Sequence, residues 1–179
     1  MKILGTIKES NVFPDQTPTP EEQLGKMRQA VRIILFDKEG KIAMGYYPPR
    51  EGHPIGGYNL PGGGVDDGES IIMALYREGL EEAGCQMKKV RELGMVKEFG
   101  VGKRVKHNQD SYCFVAEVDG EKGTPKFTEE EIKDKLELRW LTLEETINFF
   151  GEQSLSFAKV RSLLCLEEVK NQTADKVGI

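Results

Sequence analysis

The stretch Gly63–Cys85, GGVDDGESIIMALYREGLEEAGC, contains a proline-free run from Glu69 to about Ala83 that predicts a helix. With Glu78 set at 0° on a wheel turning about 100° per residue, Glu82 falls near 40° and Glu81 near −60°. Three carboxylates therefore share an arc of about 100°. The opposite side carries Ile72, Met73, Tyr76, Leu80 and Ala83, an apolar stripe expected to pack under a sheet. Arg77 stands one turn before Glu81, in reach of an i,i+4 ion pair. Glu69 lies near 180° on the same wheel, away from the cluster, and is expected to tie the preceding loop to the helix.

Like charges on adjacent helical turns repel, and a helix built for stability alone would interleave lysines there; none is present. A solvated acidic face is the plain alternative. The use that makes such crowding pay is oxygen coordination of a hard divalent cation such as Mg²⁺. The run Leu60-Pro61-Gly62-Gly63-Gly64 just before it lets the backbone pass close to a ligand. A cation would also let an acidic protein accept an acidic substrate. The chain is acidic: 25 Lys and Arg against 30 Asp and Glu give a formal charge of −5 over 179 residues. That balance argues against bulk binding to nucleic acid or to an anionic membrane.

Outward from this segment, a first strand is expected at about 2–7, then a polar surface arm over 9–28 carrying three prolines. AVRIILFD and KIAMGYY, joined at Lys38-Glu39-Gly40, give a hairpin signal. PPREGHPIGG (48–57) reads as a loop, followed by a short strand near Tyr58–Leu60. Beyond the helix, strands are expected at about 90–99, 111–118 and LELRWL. Helical segments are expected at TEEEIKDKL, 142–150 and 155–169, with a frayed tail over NQTADKVGI. The division is an N-terminal strand and arm (1–27), one α/β sandwich domain (28–170) and a flexible tail (171–179). Cys85, Cys113 and Cys165 match no zinc or disulfide spacing and read as reduced, buried or part-buried thiols. With no apolar run long enough to span a membrane and no signal-peptide core, the expectation is a cytoplasmic protein without membrane partners.

Taken whole, residues 63–85 resemble the signature of the Nudix hydrolases, G-x5-E-x7-R-E-U-x-E-E-x-G-U, where U is apolar. Gly63, Glu69, Arg77, Glu78, Glu81, Glu82 and Gly84 stand at the required spacings. The departures are Gly79, where the family prefers an apolar residue, and Cys85 as a small apolar end. Gly79 costs about 1 kcal/mol in a helix interior, for which close packing against the sheet is a reason. The resemblance covers about residues 28–169.

The resemblance implies an α/β/α sandwich with a mixed sheet and a catalytic loop-helix-loop. It implies hydrolysis of a nucleoside diphosphate linked to another moiety, by attack on phosphorus of water activated by Mg²⁺ or Mn²⁺. Carried over, Glu78 and Glu82 are metal ligands, and Glu81 is a third ligand or holds a water. The position of Glu78 is most often the general base, Arg77 orients the carboxylates, and the Gly63 carbonyl completes a metal shell. A further carboxylate from beyond the motif has four candidates, Glu129, Glu130, Glu131 and Glu137. Arg50 and Arg104 are candidate substrate contacts, with His53 beside the first; Arg104 belongs to a basic run with Lys97, Lys103, Lys106 and His107, for which a solvated loop is the plainer reading. Tyr46, Tyr47 and Tyr58 read either as base-stacking residues or as cross-strand pairs.

The partner implied is a small nucleotide-type substrate, with no nucleic acid; family members often dimerise, and no segment here marks an interface. Val101 stands where ADP-ribose-type relatives often carry proline and diadenosine-polyphosphate relatives tyrosine. Elimination leans toward a nucleoside triphosphate or modified nucleotide. The alternatives are a non-catalytic nucleotide-sensing module and, below it, an isopentenyl diphosphate isomerase, which would need a cysteine upstream of the helix.

Overall fold

The structure is a computed structural model describing residues 1–17, 19–20, 25–50, 56–101 and 106–177, with side chains to residue 172. The apolar runs become seven strands: β1 (Ile3–Lys8), β2 (Gly25–Phe36), β3 (Ile42–Tyr47), β4 (Gly57–Asn59), β5 (Gln86–Val101), β6 (His107–Asp119) and β7 (Glu137–Leu141). They form one mixed sheet in the order β1-β5-β6-β2-β3-β4, with β7 on β3. β1 runs parallel to β5 and β2 parallel to β6, while the other pairs are antiparallel. The helices are α1 (Glu9–Val12), α2 (Ile71–Glu82), α3 (Glu129–Lys133), α4 (Leu143–Glu152) and α5 (Phe157–Val177).

Alternation along the strands divides the core into two layers. Val31, Ile33 and Leu35 of β2 join Phe114 and Ala116 of β6 under Ala74, Leu75 and Ala83 of the α2 segment. Ile34, Cys113 and Val115 face the other way, into a cluster with Phe150, Phe157, Cys165 and Leu166 from α4 and α5. The result is the expected α/β/α sandwich.

Three expectations change. The turn at Lys38–Gly40 forms, with Asp37 N–H donating to the Lys41 carbonyl, but β2 and β3 register only at Phe36 and Ile42. The glycine loop takes the edge of β2 instead: Val31 N–H donates to Gly63 O and Ile33 N–H to Pro61 O, both at 2.9 Å. β3 is freed to pair with β4 and β7. Second, α5 continues through Val177 where a frayed tail is expected from residue 171. Third, the face of α2 turned inward is not the apolar stripe. Ile72, Met73, Tyr76 and Leu80 are exposed, whereas Ala74, Leu75, Glu78 and Gly79 are buried. Small residues let the helix lie close on the sheet, and at Gly79 a Cβ would come within 2.7 Å of Met87 Cε on β5. Among the described residues no helix is long and apolar enough to cross a membrane.

Candidate active site

The site forms where the glycine loop, held on the edge of β2, meets the buried face of α2. Gly62 adopts φ 135° and its N–H donates to Glu82 Oε2 at 2.9 Å. A Cβ at Gly63 would overlap the Glu78 carboxylate, so the missing side chain is what lets that carboxylate reach the loop backbone. Ser70 caps α2 by accepting from Met73 N–H, and Gly84, at φ 64°, ends the helical segment in a conformation glycine adopts at little cost.

Arg77 organises the carboxylates. Its Nε donates to Glu69 Oε1 at 2.9 Å and its Nη2 to Glu69 Oε2 and Gly64 O, both at 2.8 Å. Its Nη1 donates to Glu78 Oε1 at 2.7 Å and to Glu81 Oε2 at 3.1 Å. The guanidinium therefore clamps loop to helix through Glu69 and draws Glu78 and Glu81 to one side. Hydrogen bonds from Arg77 hold the Glu69 carboxyl down at about 2. Burial dominates at the other two. It pushes Glu78 upward against the pull of Arg77, and it pushes Glu82 up to about 8 despite the Gly62 N–H, with the charge of Glu78 adding to the rise. Among the described residues, no three acidic, histidine or cysteine side chains converge as a ready chelating set: Arg77 occupies Glu78 and Glu81, and Gly62 N–H is bonded to Glu82.

Of the four outlying glutamates, Glu131 adds its charge to those that raise Glu82. Its side chain accepts from Thr128 N–H in the capping box of α3. With Glu130, Asp134 and Tyr47 it lines an acidic recess. Glu137 pairs with Arg139 on β7. Arg50 pairs with Asp134 at 2.6 Å on the same recess. Arg104, Lys103 and His53 lie outside the described residues.

Tyr46 and Tyr58 form a cross-strand pair with centroids 4.9 Å apart, and Tyr58 stacks on Phe149. Of the basic run, Lys97 lies on β5 opposite Asp110 of β6, Lys106 pairs with Glu9, and His107 begins β6. All three cysteines are free and buried.

A polar layer that the sequence reading does not identify lies across β2 from the glutamates. Glu98, 1 % exposed, accepts from Arg161 Nη1 at 2.8 Å, from Gln109 Nε2 at 2.9 Å and from Ser111 Oγ. Arg161 also donates to Asn59 Oδ1 at 3.2 Å. Arg32, in the middle of β2, is buried with its Nη1 on the Val31 carbonyl. Desolvation, helped by the charge of Arg161, pushes it down to about 10. The signal for it is in the sequence: one arginine inside the apolar run AVRIILF.

The profile of the NUDIX domain matches residues 26–159. An RNA pyrophosphohydrolase of Wolbachia sp. subsp. Brugia malayi is 38% identical over 69 residues, which is 38% of this chain and 40% of that protein. The chain thus aligns with about two fifths of the length of that curated relative. Among solved structures, a NUDIX hydrolase from Nitrosomonas europaea superposes with a TM-score of 0.61 at 18% identity, covering 81% of this chain and 89% of the other. The NUDIX domain of Shewanella oneidensis NrtR, complexed with ADP ribose, gives 0.58 at 17% identity, covering 93% and 99%. At these identities the two structures speak for the fold.

Proposed function

The chain belongs to the NUDIX family, and on that premise we propose that it is a divalent-cation-dependent pyrophosphohydrolase cutting a diphosphate linkage in a nucleotide-type substrate. The observation that carries this reading is the pair of carboxylates, Glu78 and Glu82, desolvated beside a glycine loop and both pushed upward by burial. Burial disfavours the ionised form of this pair unless a cation is supplied, and Arg77 is already shared among Glu69, Glu78 and Glu81.

The donor chemistry fits Mg²⁺ or Mn²⁺: hard carboxylate oxygens on successive turns of one helix, with backbone carbonyls alongside. Glu78, Glu81 and Glu82 would hold it once Glu78 and Glu81 turn from Arg77. The Gly63 carbonyl already accepts from Val31 N–H, so its second lone pair is what it can offer. When bound, such an ion activates water and neutralises phosphoryl charge. The chain's own part is to position and to move a proton. Glu78, whose burial strengthens its hold on a proton, accepts it from the attacking water, with Glu81 one turn away as the alternative acceptor. Arg77 keeps the carboxylates and the loop in register through Glu69 and Gly64. The role assigned to Arg77 is therefore positioning.

For the substrate, a nucleoside triphosphate or modified nucleotide is the first reading. A second, the triphosphate at an RNA 5′ end, is favoured by the name of the Wolbachia relative. The net charge of −5 speaks against bulk nucleic-acid binding, but one 5′ end gripped by a few local cations needs no basic surface. The test is product release with Mg²⁺ or Mn²⁺ from nucleoside triphosphates, sugar nucleotides, ADP-ribose, dinucleoside polyphosphates and a 5′-triphosphorylated oligoribonucleotide. Turnover of one class names the substrate. Tight nucleotide binding with no turnover of any member would replace the hydrolase with a sensing module.

A further inference from the structure

Cys113 stands in the middle of β6, in register with Arg32 of β2 and Gly94 of β5, and belongs to the core layer between the sheet and α5. Cys165 of α5 lies in the same layer. Both are fully buried. Cys165 Sγ–H donates to Cys113 Sγ at 2.8 Å across a sequence separation of 52 residues, and Cys113 Sγ–H donates in turn to the Ser111 carbonyl at 3.5 Å. Carbon atoms packed in a core keep about 3.5–4.0 Å apart, and sulfur is the larger atom, so the two thiols are already inside ordinary contact distance. A further approach of under about 1 Å brings them to an S–S bond of about 2.05 Å. Cys85 differs: it lies in the other layer, under α2, and its Sγ–H donates to the Ala83 carbonyl at 3.1 Å.

A buried cysteine commonly serves as a small apolar filler, a role that needs no second thiol beside it. Here two elements remote in sequence, a central strand and the last helix, bring the sulfurs together. Two guanidiniums also flank the pair: Arg32 beside Cys113 across the β2–β6 register, and Arg161 one turn before Cys165 on α5. The contact with Cys113 and burial push the Cys165 thiol well up, while Arg161 and Arg32 pull it back. Positive charge beside a thiol favours the thiolate, which is the reactive form. Cys113 accepts the S–H of its neighbour, and a bond donated to a sulfur favours its charged form, so Cys113 is the better placed nucleophile. Arg32 and Arg161 line a cavity of about 500 Å³, which brings a molecule little larger than water to the residues flanking the sulfurs. Only a local opening of α5 is then needed for such a molecule to reach them.

We propose that Cys113 and Cys165 are a peroxide-oxidised thiol pair, forming a reversible disulfide that staples the last helix to the centre of the sheet. The Cys113 thiolate attacks one oxygen of hydrogen peroxide and the O–O bond breaks, giving a sulfenic acid; the thiol proton leaves with the departing hydroxide as water. Cys165 then attacks the sulfenic sulfur, the S–S bond forms, and the hydroxide leaves with the Cys165 proton as a second water. Two thiols thus lose two electrons to one peroxide. A bond across a separation of 52 residues restricts the unfolded chain strongly, so the oxidised protein is the more heat-stable form. A dithiol reverses the bond by exchange. The pair lies apart from the glutamates, and the proposal holds whatever they hydrolyse.

The experiment treats the full, reduced chain with a modest excess of hydrogen peroxide under native conditions, quenches with catalase, and alkylates in denaturant with iodoacetamide. Intact mass and peptide mapping read the result. Of the three cysteines, Cys85 alone should be alkylated, and the peptides carrying Cys113 and Cys165 should be linked. Dithiothreitol should return all three thiols. Scanning calorimetry should find the oxidised form melting about 5 °C or more above the reduced form. Cys85→Ala should keep both the link and the rise, and Cys165→Ala should lose both. Each variant is compared with its own reduced form, so a loss of stability from the substitution itself does not enter the reading. Three alkylated thiols after peroxide, a link that involves Cys85, or Cys113 carried to the sulfinic acid beside a free Cys165 overturns the proposal. A link that forms only in denaturant, or one that leaves the melting temperature unchanged, overturns it as well.

Discussion

Replacing Arg77 with methionine removes five hydrogen bonds at once and leaves three glutamates without their shared cation. The cost is set by Glu78, whose side chain is 7 % exposed and whose described cation partner is Arg77. Breaking a buried pair by removing one member costs about 3–5 kcal/mol, and the 28 % exposure of Arg77 places this case at the lower end, about 3 kcal/mol. For a domain of this size each kcal/mol moves the melting temperature by about 2–4 °C, so Arg77→Met should melt about 6–12 °C lower in EDTA. Saturating Mg²⁺ should restore part of the loss, because a divalent ion among Glu78, Glu81 and Glu82 supplies the missing positive charge. Differential scanning calorimetry with and without Mg²⁺ measures both. A fall of less than 2 °C in EDTA, or a Mg²⁺ response no larger than in the wild type, would refute Arg77 as the organiser of the carboxylates.

Gly84→Ala should destabilise by about 2–4 kcal/mol in urea unfolding, because φ is 64° and its Cβ would meet the Thr124 backbone at 2.6 Å. Gly79→Ala should stay within about 1 kcal/mol, since the obstacle is the flexible end of Met87 and the helix gains propensity. Glu9 is held down at about 2, chiefly by hydrogen bonding to Lys106. Its contribution to stability is therefore full above its ordinary value of 4.5 and is lost as pH falls toward 2. Glu9→Gln should flatten the stability profile in that window and leave its shape above pH 6 unchanged. Cys85, Cys113 and Cys165 are buried, so a thiol reagent such as DTNB should react on the timescale of unfolding rather than of mixing.

The carboxylate cluster was legible because motif spacing and helical geometry agree: Arg77 reaches Glu69, Glu78 and Glu81 together. Glu69 ties loop to helix as expected, but it precedes the Ser70 cap, so the wheel does not govern it, and Arg77 joins it to the cluster from which the wheel separates it. The inward face of α2 was not legible. A wheel separates two faces without saying which is turned in, and here the buried side carries Glu78 together with Ala74, Leu75 and Gly79. The hairpin forms at its turn but stays short for a tertiary reason, since Pro61 and Gly63 accept hydrogen bonds from β2 farther along that strand. Arg32, Glu98 and Arg161 come together from β2, β5 and α5, a convergence that no local spacing encodes. Arg32 alone leaves a trace, as a charge inside an apolar strand.

If the glutamates of α2 drive cation-dependent cleavage of a diphosphate, product release from a 5′-triphosphorylated nucleotide, followed with Mg²⁺, with EDTA, and with Glu78→Gln in Mg²⁺, reads it out. Product from the wild type in Mg²⁺, none in EDTA, and a loss of at least a hundredfold in a Glu78→Gln variant that still melts cooperatively is the predicted result. Equal turnover by Glu78→Gln, or turnover undiminished by EDTA, would contradict it.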